Sequence, residues 1–237
     1  MILPSRSTSI KLFATGSTVG PLVDSLHNQC LLEYDILPIN IHDPTGTITT
    51  PLICTSWLIP PLLGIAYVIL GGVLPRICSI VTESVLGSQH TRDRVDVQIF
   101  DGGFNRREKA IIAVLSTASI IRFSEVLETA QIFGERSGLI NEFVMAITAV
   151  LQWTILDGTP AAFLAAALTS VGGPLSELPF VATGCWHYIS NAADYFPLSG
   201  LNLGWSDLAL SSITGPCYFA VTMDAIALGR WFDDDHK

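Results

Sequence analysis

Basic residues are missing from a large part of this chain. No Lys or Arg occurs in residues 137–229, a stretch of 93 residues with six carboxylates, and residues 44–75 carry no charge at all. A water-soluble surface mixes both signs of charge, whereas a helix that crosses the roughly 30 Å hydrocarbon layer needs about 20 mostly apolar residues. With a mean hydropathy of +0.49, the sequence therefore predicts a polytopic membrane protein.

Other features are also scarce, and each scarcity excludes a class of protein. A net charge of −9 leaves no basic face for nucleic acid. The five cysteines show neither CxxC nor mixed Cys/His spacing, so a zinc site or a disulfide framework is not expected. No HExxH, GxSxG or glycine-rich phosphate loop is present. We therefore expect no metal and no cofactor.

Apolar segments predict an all-α fold, a bundle of six transmembrane helices that forms one domain over residues 1–237. The predicted spans cover residues 12–32, 52–74, 110–133, 139–156, 159–189 and 208–228. The first is the least apolar because it contains glycine, proline, aspartate and histidine, so a five-span protein is the alternative. In the second span, Pro60 and Pro61 predict a kink or a delayed start, since proline interrupts the hydrogen bonding of a helix interior.

Basic residues are concentrated in one connection, which predicts the orientation. Half of the twelve Lys and Arg residues lie in a loop at about residues 76–109. Because short loops rich in Lys and Arg stay in the cytosol, this loop is expected on the cytosolic side, together with both termini of a six-span protein. The amino terminus has several Ser and Thr residues and no acid before Asp24, which resembles an organelle transit segment, so an organelle membrane such as that of a plastid is one alternative location.

Three ionisable residues in the third predicted span are candidates for function. Arg122, Glu125 and Glu128 recur every three residues and are predicted to share one helix face. An ionisable group at the centre of a bilayer costs roughly 2.5–3.5 kcal/mol on insertion scales, so this strip is expected to face the bundle or a wet cavity. One interpretation is contact with a ligand or partner. The other is that Arg122 and Glu125 pair internally while Glu128 reaches the headgroups.

Two aspartates add further candidates. Asp157 ends the fourth predicted span, where it is either a cap for the next helix or a carboxylate that contacts a partner. Asp224 lies inside the sixth span, as a polar group that faces the bundle or one that reaches the membrane interface. An intramembrane enzyme or a small-molecule transporter that uses the Arg122, Glu125 and Glu128 strip is the alternative function.

Four segments, in this order, resemble the Insig (insulin-induced gene) family of sterol-regulatory membrane proteins. They are WLIPPLLG at residues 57–64, the polar face SIIRFSEVLETAQ at 119–131, QWTILD at 152–157, and GPCYF at 215–219 with Thr222-Met223 and Gly229-Arg230. Their order, their spacing and the number of spans agree with that family from about residue 10 to 232. The resemblance adds Trp57, Pro60, Pro61 and Trp153 to the candidates for lipid or partner contact.

The resemblance implies a non-enzymatic regulator in the endoplasmic reticulum membrane. Such a protein binds a lipid, an oxysterol or a diacylglycerol, in a cavity between its spans. The lipid favours docking to a sterol-sensing-domain membrane protein, which is then retained or degraded. Asp157 aligns with an acidic residue of the family that is implicated in partner binding. The alanines of the fifth span would let helices approach closely, within the bundle or against a helix of another protein. A homo-oligomer is a further candidate assembly.

Overall fold

Six helical segments form the body of the structure, a computed structural model that describes residues 3–28, 31–45, 51–86, 103–130, 138–201 and 206–234. They are α1 (Arg6–Asn28), the continuous series α2 (Ile59–Tyr67), π-helical segment (Val68–Val73) and α3 (Leu74–Leu86), then α4 (Arg106–Ala130), α5 (Gly138–Leu156), α6 (Pro160–Ala182) and α7 (Thr214–Asp234). Four of the six, all but α1 and α7, are long and apolar enough to cross a membrane. The helical membrane fold predicted from the sequence is confirmed.

Helix α7 lies at the centre of the bundle, where its small and apolar residues allow close packing on several sides. It contacts α1, the π-helical segment, α4, α5 and α6. On one side Phe219, Met223 and Ile226 pack against the fully buried Ala162 and Ala165 of α6. Because neighbouring helices surround α7, its polar residues Thr222 and Asp224 face protein and not lipid, which explains why its sequence is less apolar than that of an outer span.

Two short antiparallel β-pairs lie at one end of the otherwise helical bundle. Strand β1 (Leu32–Tyr34) pairs with β4 (Trp186–Tyr188), and β2 (Pro38–Ile41) pairs with β3 (Ile53–Ser56). The predicted second span therefore began too early and the predicted fifth span ended too late, because β3 and β4 lie inside them. Helix α6 stops at Ala182 since Gly184 follows with a φ of +69°, a backbone conformation that favours glycine. After this turn, residues 186–188 alternate between buried and exposed, as strands do.

The remaining boundaries shift for local reasons. Helix α1 starts before residue 12 because the Ser5 hydroxyl accepts a hydrogen bond from the Thr8 backbone N–H at 3.0 Å, which is an amino-terminal cap. Pro60 and Pro61 stand in the first turn of α2, where proline is tolerated, so the predicted delayed start is confirmed. The basic connection is shorter than predicted, since α3 continues to Leu86 and α4 begins at Arg106.

The two chain ends meet at the end of the bundle that carries the basic residues, here called the basic end. The Thr8 hydroxyl of α1 donates to Asp233 Oδ1 of α7 at 2.7 Å, and Arg76 of α3 pairs with the same carboxylate. The opposite end, with both β-pairs, is called the sheet end. Helix α1 is part of the bundle, because Gly16 and Gly20 pack closely on Leu63 of α2.

The placement of both chain ends beside Arg76 predicts a simple topology result. In microsomes, a glycosylation acceptor placed near Ser199, on the exposed sheet end, should be modified because that end lies opposite the basic residues. An acceptor near Gly87, outside the described residues, should stay unmodified. The reverse pattern would place the basic end in the lumen and contradict the predicted orientation.

Candidate functional site: a tyrosine-lined cavity

A cavity of about 240 Å³ lies between α1, α2, α4, α6 and α7, and the inner face of the β1–β4 pair contributes to its wall. Apolar side chains form most of the wall. Examples are Val23, Leu62, Ala66, Phe180 and Val221. Phe180 stacks on Trp186 with ring centroids 4.8 Å apart, so an aromatic pair links α6 to β4 at the sheet end. The cavity thus has the apolar walls expected of a site for an amphiphilic molecule.

Four tyrosines line the cavity, and each donates its hydroxyl proton to a carboxylate. Tyr188 and Tyr218 donate to the two oxygens of Glu177, at 2.7 and 2.8 Å. The other two bonds run from Tyr34 to Asp24 Oδ2 at 3.0 Å and from Tyr67 to Asp224 Oδ2 at 2.6 Å. Buried carboxylates need such donors, because the cost of burying an unsatisfied polar group is high.

The β-strand tyrosines remain protonated donors over the physiological pH range. Burial, with the nearby Asp24 carboxylate as a second cause, raises the pKa of Tyr34 well above its ordinary value. Burial also raises the pKa of Tyr188, where Glu177 adds to the effect. A phenol with a raised pKa keeps its proton, so the hydrogen bonds to both carboxylates persist.

The other polar groups of the cavity wall are mostly occupied. The Ser176 hydroxyl donates to the Gly173 carbonyl, and the Thr214 hydroxyl donates to the Ser211 carbonyl, both at 2.6 Å. Trp186 Nε1 is buried close to Glu177 but makes no hydrogen bond of normal geometry within the described residues. Among the described residues that line the cavity there is no Lys, Arg or His.

The strip predicted in the third span does not line this cavity. Arg122 Nη1 lies 2.6 Å from Glu125 Oε2, and the side chains are 49% and 7% exposed, respectively. Glu128 accepts a hydrogen bond from Asn141 Nδ2 of α5 at 3.2 Å. The geometry thus agrees with the interpretation of an internal Arg122–Glu125 pair. Glu128, however, bonds to α5, whereas that interpretation predicted that it reaches the lipid headgroups.

The half-exposed position of Arg122 sets the expected cost of breaking this pair. The Glu125→Gln variant should lose roughly 1–2 kcal/mol of unfolding free energy, between the values typical of exposed and buried pairs. Glu128→Gln is the matched control, because its amide oxygen still accepts from Asn141. Thermal unfolding in detergent measures both. Equal melting temperatures for the two variants would show that the ion pair contributes nothing.

Both candidate aspartates are buried and bonded within the protein. Asp157 pairs with Arg230 of α7, and its other oxygen accepts from the Thr159 backbone N–H at 3.0 Å. Asp224 Oδ2 accepts a hydrogen bond from the Tyr67 hydroxyl, and Asp224 Oδ1 has no hydrogen-bond partner within the described residues. Asp224 therefore faces the bundle, as one of the two interpretations of the sequence required, and it lies behind the cavity wall and not in it.

None of the residues suggested by the family resemblance lies in the cavity wall. Trp57, between β3 and α2, is 67% exposed at the sheet end, while Pro60 and Pro61 form the first turn of α2. At the basic end, Trp153 Nε1 donates to the Thr159 carbonyl at 3.0 Å. Sequence reasoning missed Glu177 and the four tyrosines. The available signal was a carboxylate in a span without any basic residue.

Comparison with known proteins identifies the architecture. No protein-family model matches the sequence, and no curated protein matches it. A solved structure of MvINS, a mycobacterial Insig homologue from Mycobacterium vanbaalenii, aligns over 97% of this chain and 95% of its own, with 17% identity and a TM-score of 0.60. The chain has an Insig-like fold. A cross-linked trimer of a cysteine variant of MvINS gives a TM-score of 0.61 and 18% identity over 98% and 96% of the two chains.

The Insig-like fold confirms the resemblance read from the sequence. The likeness in fold extends over almost the whole chain. In this Insig-like chain, the tyrosine-lined cavity is the candidate binding site.

Proposed function

We propose that this protein is a non-enzymatic membrane regulator that binds one lipid in its tyrosine-lined cavity. The observation that carries the proposal is the cavity of about 240 Å³ with apolar walls and a set of tyrosine–carboxylate pairs. Apolar walls suit an acyl chain or a ring system, and a few placed polar groups fix the orientation of a ligand. An oxysterol or a diacylglycerol, the lipids implied by the family resemblance, has this amphiphilic shape.

Mass spectrometry of lipids that co-purify with the protein tests the proposal. Val221 lines the cavity, so Val221→Trp should fill it and reduce the co-purified lipid to the level of a detergent blank. Leu115→Trp is the matched control, because Leu115 is exposed on α4 and does not touch the cavity. Equal amounts of one defined lipid in both variants would place the lipid elsewhere and contradict the proposal.

Regulation requires that the lipid changes how the protein meets a partner. A lipid and a sterol-sensing-domain membrane protein are coupled if both prefer one arrangement of the bundle. Asp157 is the proposed contact residue, and in the present arrangement its carboxylate is occupied by Arg230. Docking through Asp157 would then need this pair to open. Such a regulator would act in the endoplasmic reticulum membrane, with retention or degradation of the partner as the outcome.

A homo-oligomer is the second partner proposal. It is supported by the trimer reported for the MvINS structure, which shares the fold. Native mass spectrometry from a mild detergent tests it. A single peak at the mass of one 25.5 kDa chain, at concentrations where the protein is stable, would contradict it.

A further inference from the structure

The polar part of the cavity can accept hydrogen bonds but can hardly donate them. All four tyrosine hydroxyl protons already point to carboxylates, and the protons of Ser176 and Thr214 go to backbone carbonyls. The oxygens of Glu177, Tyr188 and Tyr218 have further lone pairs that can accept hydrogen bonds. Among the described lining residues, the remaining side-chain donors are Trp186 Nε1, which is buried in the wall, and the weakly donating thiol of Cys217.

The charges of the cavity point the same way. Asp24 and Glu177 line it, and no basic side chain does so among the described residues. Three arginines of the bundle are engaged with carboxylates elsewhere. They are Arg76 with Asp233, Arg122 with Glu125, and Arg230 with Asp157. An anionic headgroup in the cavity would meet like charge at short range, which is strongly unfavourable where water is excluded.

From this donor-poor, acidic lining we infer that the cavity selects a cationic lipid, a long-chain amine or amino alcohol whose ammonium group donates to the oxygens of Glu177, Tyr188 and Tyr218. The inference rests on the proposed lipid-binding function and specifies the class of ligand. An ammonium group has three donors and no acceptor, so it complements the acceptors of the cavity. Hydrogen bonds between charged partners are roughly twice as strong as those between neutral ones, so the ammonium gains most at a carboxylate.

Four probes with the same 18-carbon chain test this inference in phosphatidylcholine nanodiscs, each compared with empty nanodiscs. They are octadecylamine, octadecanol, stearate and octadecyltrimethylammonium. Octadecylamine should bind about tenfold more tightly than octadecanol, on the order of 1.4 kcal/mol, because its ammonium forms an ion pair with Glu177 and has three donors, whereas the neutral hydroxyl has one. Stearate should not bind above the empty nanodisc. The trimethylated probe keeps the charge but lacks donors, so it should bind more weakly than octadecylamine.

Variants connect the preference to one side chain. Glu177→Gln should reduce octadecylamine binding about tenfold and weaken octadecanol binding by less, because the neutral hydroxyl loses no ion pair. Glu142→Gln removes an acid near the same end of the bundle that does not line the cavity, and it should change neither. If Glu177→Gln fails to fold, the ranking of the four probes on the unmodified protein decides the question.

The outcomes separate the inference from the proposed function. Binding of octadecanol, stearate, an oxysterol or a diacylglycerol more tightly than octadecylamine would overturn the cationic preference while lipid binding stands. Absence of binding for every probe and both neutral lipids would overturn lipid binding itself. Equal binding of octadecylamine and its trimethylated form would show that charge alone, without donated hydrogen bonds, is recognised, which also contradicts the inference.

Discussion

Replacing Arg230 by methionine should destabilise the protein more than replacing Asp157 by asparagine, although the two residues form one ion pair. The Asp157 side chain is 2% exposed, whereas the Arg230 side chain is 41% exposed. Removal of the arginine leaves a buried carboxylate without its counter-charge, and this costs roughly 3–5 kcal/mol. Removal of the aspartate charge leaves an arginine that already reaches the surface of the bundle and can move towards water or lipid headgroups.

Asp157→Asn should therefore cost less, about 1–2 kcal/mol. Asparagine still accepts from the Thr159 N–H at the start of α6, and asparagine caps helices about as well as aspartate does. The sequence alone predicts no loss for this change, because the capping role is visible in the sequence and the pair with Arg230 is not. Because the cap is retained, any loss in Asp157→Asn reports the contribution of the pair with Arg230.

Thermal unfolding in detergent measures both effects. At about 2–4 °C per kcal/mol for a protein of this size, Arg230→Met should lower the melting temperature by about 10 °C. The double variant Arg230→Met with Asp157→Asn should recover part of that loss, because no buried charge remains. A double variant that is less stable than Arg230→Met alone would show that Asp157 and Arg230 act through separate contacts.

The second large effect is expected at Gly71, in the π-helical segment. A Cβ atom built on Gly71 would lie 2.2 Å from the Ala225 carbonyl oxygen of α7, and one on Gly229 would lie 2.3 Å from the Gly71 carbonyl oxygen. Both obstacles are backbone atoms, which cannot rotate away. Gly71→Ala therefore forces the second span and α7 apart, and overpacking of this kind typically costs 1–3 kcal/mol, occasionally more.

A glycine in open space provides the matched control for Gly71. A Cβ atom on Gly172 of α6 meets no atom within 4 Å. Because glycine within a helix is roughly 0.5–1 kcal/mol less favourable than alanine, Gly172→Ala should leave the melting temperature unchanged or raise it slightly. The two substitutions are chemically identical and should have opposite signs. A loss of similar size in both would mean that close helix contact is not the reason for Gly71.

The helices could be predicted from the sequence because hydrocarbon imposes a simple requirement, about 20 apolar residues per span. The β-pairs could not, since Leu32–Tyr34 and Trp186–Tyr188 are three residues each and are separated by more than 150 positions. Their apolar residues look like ends of spans. The sixth span was predicted six residues too early. The last turn of α7 contains polar residues such as Asp233, which the hydropathy of the sequence places outside a span, and the bonds of Asp233 to Thr8 and Arg76 are seen only in the structure.

The candidate site was harder to predict, for a physical reason. An ionisable residue in a span indicates function by its cost, and this led to Arg122, Glu125 and Glu128. The cost of Glu125 is offset locally, three residues away on its own helix. Glu177 is compensated by Tyr188 and Tyr218, which belong to other elements. Tyrosine carries no charge and is common at membrane interfaces, so the sequence does not indicate that these tyrosines donate hydrogen bonds to Glu177.

The π-helical segment Val68–Val73 has a consequence for how this chain tolerates insertions and deletions. A π-turn holds one more residue than an α-turn, so such a segment is equivalent to one residue added to a regular helix. Deleting one residue there would restore ordinary helical hydrogen bonding and turn everything after it by about 100°. Cys78 would leave the core and Arg76 would lose Asp233. The deletion would make the helix locally more regular but would separate the second span from the bundle. The length of the π-helical segment is therefore fixed by the contacts that Arg76 and Cys78 make beyond it.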